Sequence, residues 1–335
     1  MKGLLEKVVA FEDLNRNEML QVGNSIFQGE LTDAQIASFL IALKMKGETA
    51  TEMAGLAEVI HTNAIKIPTH ATDAMDNCGT GGDRSFSFNI STTASFVLAA
   101  GGVNMAKHGN RSISSKSGSA DVLESLGINL YLGAEALGEV LDQVGLVFLF
   151  AQNLHPNMRF ITGVRRELEI PTIMNLIGPL TNPVNLKYQL MGTSRRDLIA
   201  QTAETLKQLG RERAVVISGP ENMDEASLSG ENQYALLEDG KVTIHTFTAE
   251  TLGLEPIPIK AIRGGEAAEN AEILKDVLRG IDSPFKTTTI LNAGLGLYTA
   301  QKAPSLEKGM ILARDIIDSG AAYDKLEALQ KAQRG

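Results

Sequence analysis

Four stretches of this chain combine residue types that handle anionic oxygens. The first is Gly79-Thr80-Gly81-Gly82-Asp83, three glycines within four residues followed by an acid. Glycine permits positive φ and close approach of the backbone to a ligand. Successive N–H groups in such a turn form a nest for anions. The spacing excludes two common loops. Arg84 stands where a dinucleotide fingerprint needs its third glycine, and no Gly-Lys-Ser/Thr follows as a triphosphate loop requires. On its own the run is equally a tight turn after a strand. The second stretch, Asn89-Ile90-Ser91-Thr92, opens a helix-forming segment. Its polar residues suit a helix cap, and a helix N-terminus is also a ready anion site.

The third stretch runs from Lys107 to Ser119 and offers an ammonium, an imidazole, an amide, a guanidinium and five serine hydroxyls. Such donors suit phosphate and sugar oxygens. Three polar segments, two of them glycine-containing, that follow strands or open helices argue for a ligand pocket over three flexible loops. The fourth stretch is Asp224-Glu225. Adjacent acids in a loop are usually solvated. Beside a diphosphate, however, carboxylates are what Mg²⁺ requires, since it takes hard oxygen ligands. His108 alone reads more readily as structural than as catalytic. No histidine pair has zinc spacing, and the single cysteine, Cys78, excludes a thiolate cluster.

The rest of the chain must position these groups. It has 335 residues, 43% hydrophobic and 21% charged, enough for a sizeable core and for two domains. The net charge of −9 disfavours broad attraction to nucleic acid or anionic lipid. Bases nevertheless gather at Lys107, His108, Arg111 and Lys116, and again at Arg159, Arg165 and Arg166. That distribution suits a small polyanion in a pocket, with ordinary solvated charge as the plainer alternative. One cysteine permits no intramolecular disulfide, so a cytoplasmic protein is expected. No apolar run reaches spanning length and no signal-peptide layout opens the chain.

Residues 1–65 read as helices alone. Thr32 to Gln35 and Thr49 to Glu52 have capping-box form, and Gly47 supplies a stop. Beyond Pro68, strand candidates at 74–77, 103–107, 146–150, 188–192 and 213–218 alternate with helices, which argues for a mostly parallel sheet. Asp239-Gly240 marks a hairpin between 234–238 and 241–247. The tail beyond about 266 is largely helical again. The expected fold class is therefore α/β, a small all-helical domain plus a large α/β domain with a mostly parallel central sheet flanked by helices. The expected division is 1–70, completed by helices around 170–190, and 71–335.

Taken together, these segments resemble the anthranilate phosphoribosyltransferase family of tryptophan biosynthesis. The resemblance rests on CGTGGD (78–83), FNIST (88–92) and KHGNRSISSKSGSADVLESLG (107–127). It continues through HPNMRFITGVRRELEIPTIMNLIGPLTNP (155–183), MDE (223–225) and GGEAAENA (264–271). It implies Mg²⁺-dependent transfer of a phosphoribosyl group from 5-phosphoribosyl 1-diphosphate (PRPP) to the amine of anthranilate, by a homodimer joined through its helical domain. Carried over by motif, it implies PRPP contacts at Gly79, Gly82, Asp83, Ser87, Asn89, Ile90, Ser91 and Thr92. It implies further ones at Lys107, His108, Gly109, Asn110, Arg111, Ser112, Ile113, Ser114, Ser115 and Ser119. Anthranilate would meet Gly79, His108, Asn110 and Pro179, with its carboxylate near Arg165. Mg²⁺ would be held by Ser91, Asp224 and Glu225. Ser87 stands where threonine is usual, Glu169-Ile170-Pro171-Thr172 replaces a more usual Gly-Ile/Val-Arg-Thr, and Met174 replaces phenylalanine. The alternatives are a pyrimidine nucleoside phosphorylase of the same fold, or a non-catalytic nucleic-acid-binding relative. The intact acid pair and the Arg165-Arg166 segment argue against the first, and the net charge argues against the second.

Overall fold

Capping residues delimit the first helices. The chain opens with α1 (Lys2–Val9), α2 (Arg16–Phe27), α3 (Asp33–Lys46) and α4 (Ala50–Thr62). The boxes Thr32/Gln35 and Thr49/Glu52 form as the sequence predicts, and Asn15/Glu18 adds a third that it did not reveal. Each cap contributes about 1 kcal/mol by satisfying orphan N–H groups. Gly47 stops α3 with φ at 89°. Glu52, fully buried, accepts from the Leu14 and Thr49 N–H groups and pairs with Lys46, so the caps also fasten α3 to α4. The computed structural model describes residues 1–111 and 116–333.

Beyond Ile67 strands and helices alternate. β1 (Met75–Asp76), α5 (Ile90–Ala100), β2 (Met105–Gly109), α6 (Ser119–Ser125), α7 (Ala134–Val144) and β3 (Leu146–Phe150) come first. Three short helices follow, α8 (Ala151–Leu154), α9 (Arg159–Leu168) and α10 (Ile173–Leu176). Then come β4 (Tyr188–Gly192), α11 (Ile199–Gln208), β5 (Arg213–Ser218), β6 (Asn232–Glu238) and β7 (Lys241–Phe247). The chain closes with α12 (Ala267–Leu278), α13 (Pro284–Thr299), α14 (Leu306–Asp318) and α15 (Ala321–Ala332). The sheet order is β3-β2-β1-β4-β5-β6-β7, parallel through β5 and antiparallel at β6 and β7.

Two strands differ from expectation in ways that matter for the site. β1 is only two residues long, because Ala74 turns its carbonyl to accept from both Lys187 and Tyr188 N–H groups. β2 begins later and runs further, with His108 and Gly109 still paired to Leu149 and Phe150. His108 is therefore held by a ladder and not by a loop.

Alternate residues of β4 and β5 feed two cores. Leu190, Val215 and Ile217 face the layer built by α5, α13 and their neighbours. Met191, Ala214 and Val216 face α11, whose buried side chains join one cluster with those of α2, α3, α4, α9 and α10. The N-terminal helices thus complete their core against the outside of the sheet. Fully buried Phe39 and Leu40 in that cluster each contribute about 1.5–3 kcal/mol. Strand order reverses direction between β1 and β4, and open α/β sheets bind ligands at the carboxyl ends beside such a reversal.

Candidate active site

The carboxyl ends of β1, β2, β4 and β5 each release a polar segment, and these segments converge. Residues 77–89 follow β1, and Gly81 and Gly82 there adopt φ of 68° and 79°, as the glycine run requires. The Thr80 N–H donates to the Gly192 carbonyl at 3.0 Å, docking this loop on the end of β4. Gly192 is obligatory, since a Cβ there would collide with the Asp224 backbone, and a Cβ at Gly79 would push the Asp224 carboxylate aside.

The acids on the β5–β6 connection bridge the first two polar segments. Asp224 accepts from the Gly81 N–H at 2.6 Å, and Glu225 accepts from the Ser91 N–H at 2.9 Å. Glu225 therefore sits at the N-terminus of α5, where the helix dipole favours an anion. Asn89 makes no side-chain cap there. Its amide is turned inward, accepting from Asn270 at 2.9 Å and donating to the Ser117 carbonyl at 3.4 Å. Asp83 joins the acids, accepting from the Asp224 N–H at 3.4 Å. Lys107, only 2% exposed, reaches the Ser91 hydroxyl at 3.4 Å.

Burial and the charge of Asp83 push Asp224 up to about 7. Burial, then Asp224, pushes Glu225 well above the ordinary carboxylate range. Carboxylates so close resist ionising together without a cation. Ser91, Asp83, Asp224 and Glu225 offer oxygen donors only, the set a hard divalent ion takes. The residues present therefore fit Mg²⁺.

A second group lies at the end of β2. His108 is 4% exposed, its ring gives a hydrogen bond to the Gly178 carbonyl, and its Nε2 lies 3.2 Å from His155 Nε2. Burial, reinforced by Lys107, lowers His108 to about 4, and burial, reinforced by His108, lowers His155 to about 3. Both imidazoles are neutral at physiological pH. Beneath them Asp76, fully buried, accepts from the Cys78 and His108 N–H groups, the Cys78 thiol and Asn182 Nδ2. Asn182 also accepts, through its backbone carbonyl, a bond at 2.8 Å from His61 of α4. Pro179, next to Gly178, is fixed through its carbonyl by Gln189 Nε2 at 2.6 Å.

The remaining candidates are distributed around these groups. Ser87 pairs with Arg263 in an isolated bridge and receives the Ser85 hydroxyl at 3.2 Å. Asn110 is exposed, and its carbonyl accepts from Ser119 Oγ at 3.2 Å. Arg111 is engaged by Asp121 at 2.8 Å and Glu124 at 2.9 Å and lies over the Phe150 ring. Arg165 lies in the last turn of α9, half-buried, with no ion pair among the described residues. Burial lowers its pKa. Ser112, Ile113, Ser114 and Ser115 lie outside the described residues. Asp76, His155 and Asn182 were not identified from the sequence. The available signal was an acid in an apolar strand and polar residues in a segment otherwise read as packing.

Comparison with known proteins joins this geometry to a family. The helical bundle domain of a glycosyl transferase family matches residues 2–64, and that family's a/b domain matches residues 71–323. An anthranilate phosphoribosyltransferase of Lactococcus lactis subsp. cremoris is 65% identical over 335 residues, 100% of each chain. One from Streptococcus gordonii is 58% identical over 334 residues, again 100% of each. The crystal structure of the Thermus thermophilus enzyme superposes with a TM-score of 0.94 at 38% identity, covering 99% of both chains. The Saccharomyces cerevisiae enzyme in complex with PRPP and Mg has the same fold, with a TM-score of 0.87 at 24% identity, over 98% of this chain and 96% of that one. Among the described residues no helix is long and apolar enough to cross a membrane.

Proposed function

The chain belongs to the anthranilate phosphoribosyltransferase family, and we infer from that premise and from the site that it moves the 5-phosphoribosyl group of PRPP onto the amine of anthranilate. The products are N-(5-phosphoribosyl)anthranilate and diphosphate, and the reaction serves tryptophan biosynthesis. This membership sets aside the nucleoside phosphorylase and nucleic-acid-binding alternatives.

The observation that carries the assignment of parts is the bridge from the acid pair to both anion-binding loops, Asp224 to Gly81 and Glu225 to Ser91. We assign the diphosphate to the glycine loop, the α5 N-terminus and Lys107. Gly79, Gly82, Asp83, Ser87 and Asn89 to Thr92 belong to that surface. Ser91, Asp224 and Glu225 would hold Mg²⁺, which supplies neutralisation of the charge that grows on the departing diphosphate. Lys107 to Asn110 and Ser119 would line the ribose and phosphate side. Arg111 would support them through Asp121 and Glu124, which already hold it.

Breaking the C1–O bond leaves positive character on the ribose and negative charge on the diphosphate. Preorganised donors aimed at that charge lower the barrier. Gly81 and Ser91 are held by the acids, so their loops need little rearrangement. The anthranilate amine is a neutral nucleophile, which makes positioning the main requirement. His108 is neutral, since burial keeps its pKa near 4. It orients the acceptor with Gly79, Asn110 and Pro179, and no general base is assigned. Arg165 would receive the anthranilate carboxylate.

Residues 1–70, with the helices near 170–190, form the helical unit in this reading, and 71–335 the α/β unit. Val9, Phe11 and Met45, 60, 64 and 70% exposed, support a homodimer through the helical unit, which light scattering would report. The lone, buried Cys78 supports a cytoplasmic location.

The test of the metal assignment is the double variant Asp224→Ala/Glu225→Ala. Its turnover should respond far more weakly to Mg²⁺ than that of the wild type. An unchanged Mg²⁺ titration defeats the assignment.

A further inference from the structure

We propose that Asn292, on α13, is a positioning residue for the cation site formed by Asp224 and Glu225. The proposal rests on the reading of those acids as Mg²⁺ ligands. Asn292 is 4% exposed and 66 residues away from the segment it grips. Its Oδ1 accepts from the Ala226 N–H at 3.0 Å, and its Nδ2 donates to the Ala226 carbonyl at 2.8 Å and the Thr288 carbonyl at 3.0 Å. One side-chain amide thus holds both polar groups of the residue that follows the acid pair.

The next residue is held in the same way. Asn232, fully buried, accepts from the Ser227 N–H at 2.9 Å and donates to the Ser227 carbonyl at 2.7 Å. Consecutive residues after the acids are therefore each clamped in both directions by an asparagine. This matters because residues 219–231 lie between β5 and β6 and have no ladder to fix them. On the near side, Glu221 and Asn222 adopt φ of 56° and 60°, a region that side chains other than glycine enter at a cost. Met223 then anchors in a small apolar cluster with Phe88, Ile90 and Ile262. On the far side the asparagine pair is the anchor.

Asn292 also reaches the underside of the cation site. One small cavity is lined by Asn77, Ser91, Gly192, Asp224, Glu225 and Asn292. Asn77 donates to the Ser91 carbonyl at 2.8 Å, and its buried Oδ1 has no hydrogen-bond partner among the described residues. A shift of Ala226 would pull the carboxylates out of register with the Gly81 and Ser91 N–H groups that they meet beside this cavity. A helix whose only task was to fill the core would have no need of a saturated amide here. Partners that orient metal ligands typically change metal affinity about 10- to 100-fold when lost.

The experiment compares Asn292→Ala with Leu295→Ala. Leu295 is fully buried in the same helix and no hydrogen bond joins its side chain to the acid segment. With PRPP present, free Mn²⁺ is followed by electron paramagnetic resonance during titration, and Mg²⁺ activation is measured in parallel. Asn292→Ala should weaken Mn²⁺ binding and raise the Mg²⁺ needed for half-maximal rate by about 10-fold, with the anthranilate KM within about twofold of wild type. Leu295→Ala should lower Tm and leave Mn²⁺ affinity unchanged. If Asn292→Ala does not fold, Asn232→Ala is read by the same criteria. Mn²⁺ affinity equal in the asparagine variant and in wild type overturns the proposal, as does an equal loss in Leu295→Ala. Failure of the wild type to bind Mn²⁺ with PRPP would instead remove the acid-pair reading beneath it.

Discussion

Arg165 carries the sharpest single prediction about the acceptor. It occupies the last turn of α9, where a helix dipole favours a cation, and it is half-buried without an ion pair among the described residues. Burial lowers its pKa, yet a guanidinium stays charged at neutral pH. A partly desolvated cation without an acid beside it gains most from a ligand carboxylate. A charge-assisted hydrogen bond contributes about 1.5–3 kcal/mol. At about 1.4 kcal/mol per decade, removing it costs roughly 10- to 100-fold. Arg165→Ala should therefore lower kcat/KM for anthranilate by that factor, mostly through KM, because the carboxylate is held equally in ground and transition states. The PRPP KM should move by less than about twofold, and kcat at saturating anthranilate should stay close to wild type. Arg166→Ala is the control, since Arg166 is exposed on the same turn. Steady-state rates followed by loss of anthranilate fluorescence would measure all of these. Equal losses against both substrates, or an equal effect of Arg166→Ala, would refute the carboxylate contact.

Glu169 ends α9 in the left-handed region at φ 53°, a position where a glycine is at ease. Glu169→Gly should stabilise the protein by about 1 kcal/mol in denaturant titration, and a loss of stability would contradict the strain argument. His108 and His155 are held near 4 and 3 by burial, so they are already neutral at pH 6. Their depressed values favour the folded state only when the rings are uncharged, so protonation should destabilise the fold as pH falls below about 6.5 toward 4. Between pH 6 and 8 the anthranilate KM should show no histidine titration, and a break near 6.5 that disappears in His108→Asn would show that a charged imidazole takes part.

Much of this architecture was legible because local chemistry and tertiary demand agree. The boxes at Thr32 and Thr49 form as written, and β3, β4, β5 and β7 fall on their expected residues because each is a short apolar or alternating run. The glycine loop was legible for the same reason, since Gly81 and Gly82 need positive φ. Other features depend on contacts far apart in sequence. No pattern around Asn182, Asn232, Asn270 or Asn292 distinguishes a buried strut from an ordinary turn or helix residue. The roles of Asn182, Asn270 and Asn292 follow from partners 106, 181 and 66 residues away, and that of Asn232 from a local loop contact with Ser227. Arg111 lies in a phosphate-like motif, yet Asp121 and Glu124 on the following helix claim its guanidinium. The extension of β2 to Gly109 was missed because His108 is polar, and pairing with β3 overrides that polarity.

Coupling of anthranilate to PRPP with the help of Mg²⁺ can be measured directly. Purified protein mixed with anthranilate, PRPP and Mg²⁺ should extinguish anthranilate fluorescence while releasing diphosphate in equal amount. Omitting PRPP, or chelating the Mg²⁺, should stop both. Unchanged fluorescence with all three present would rule out that activity.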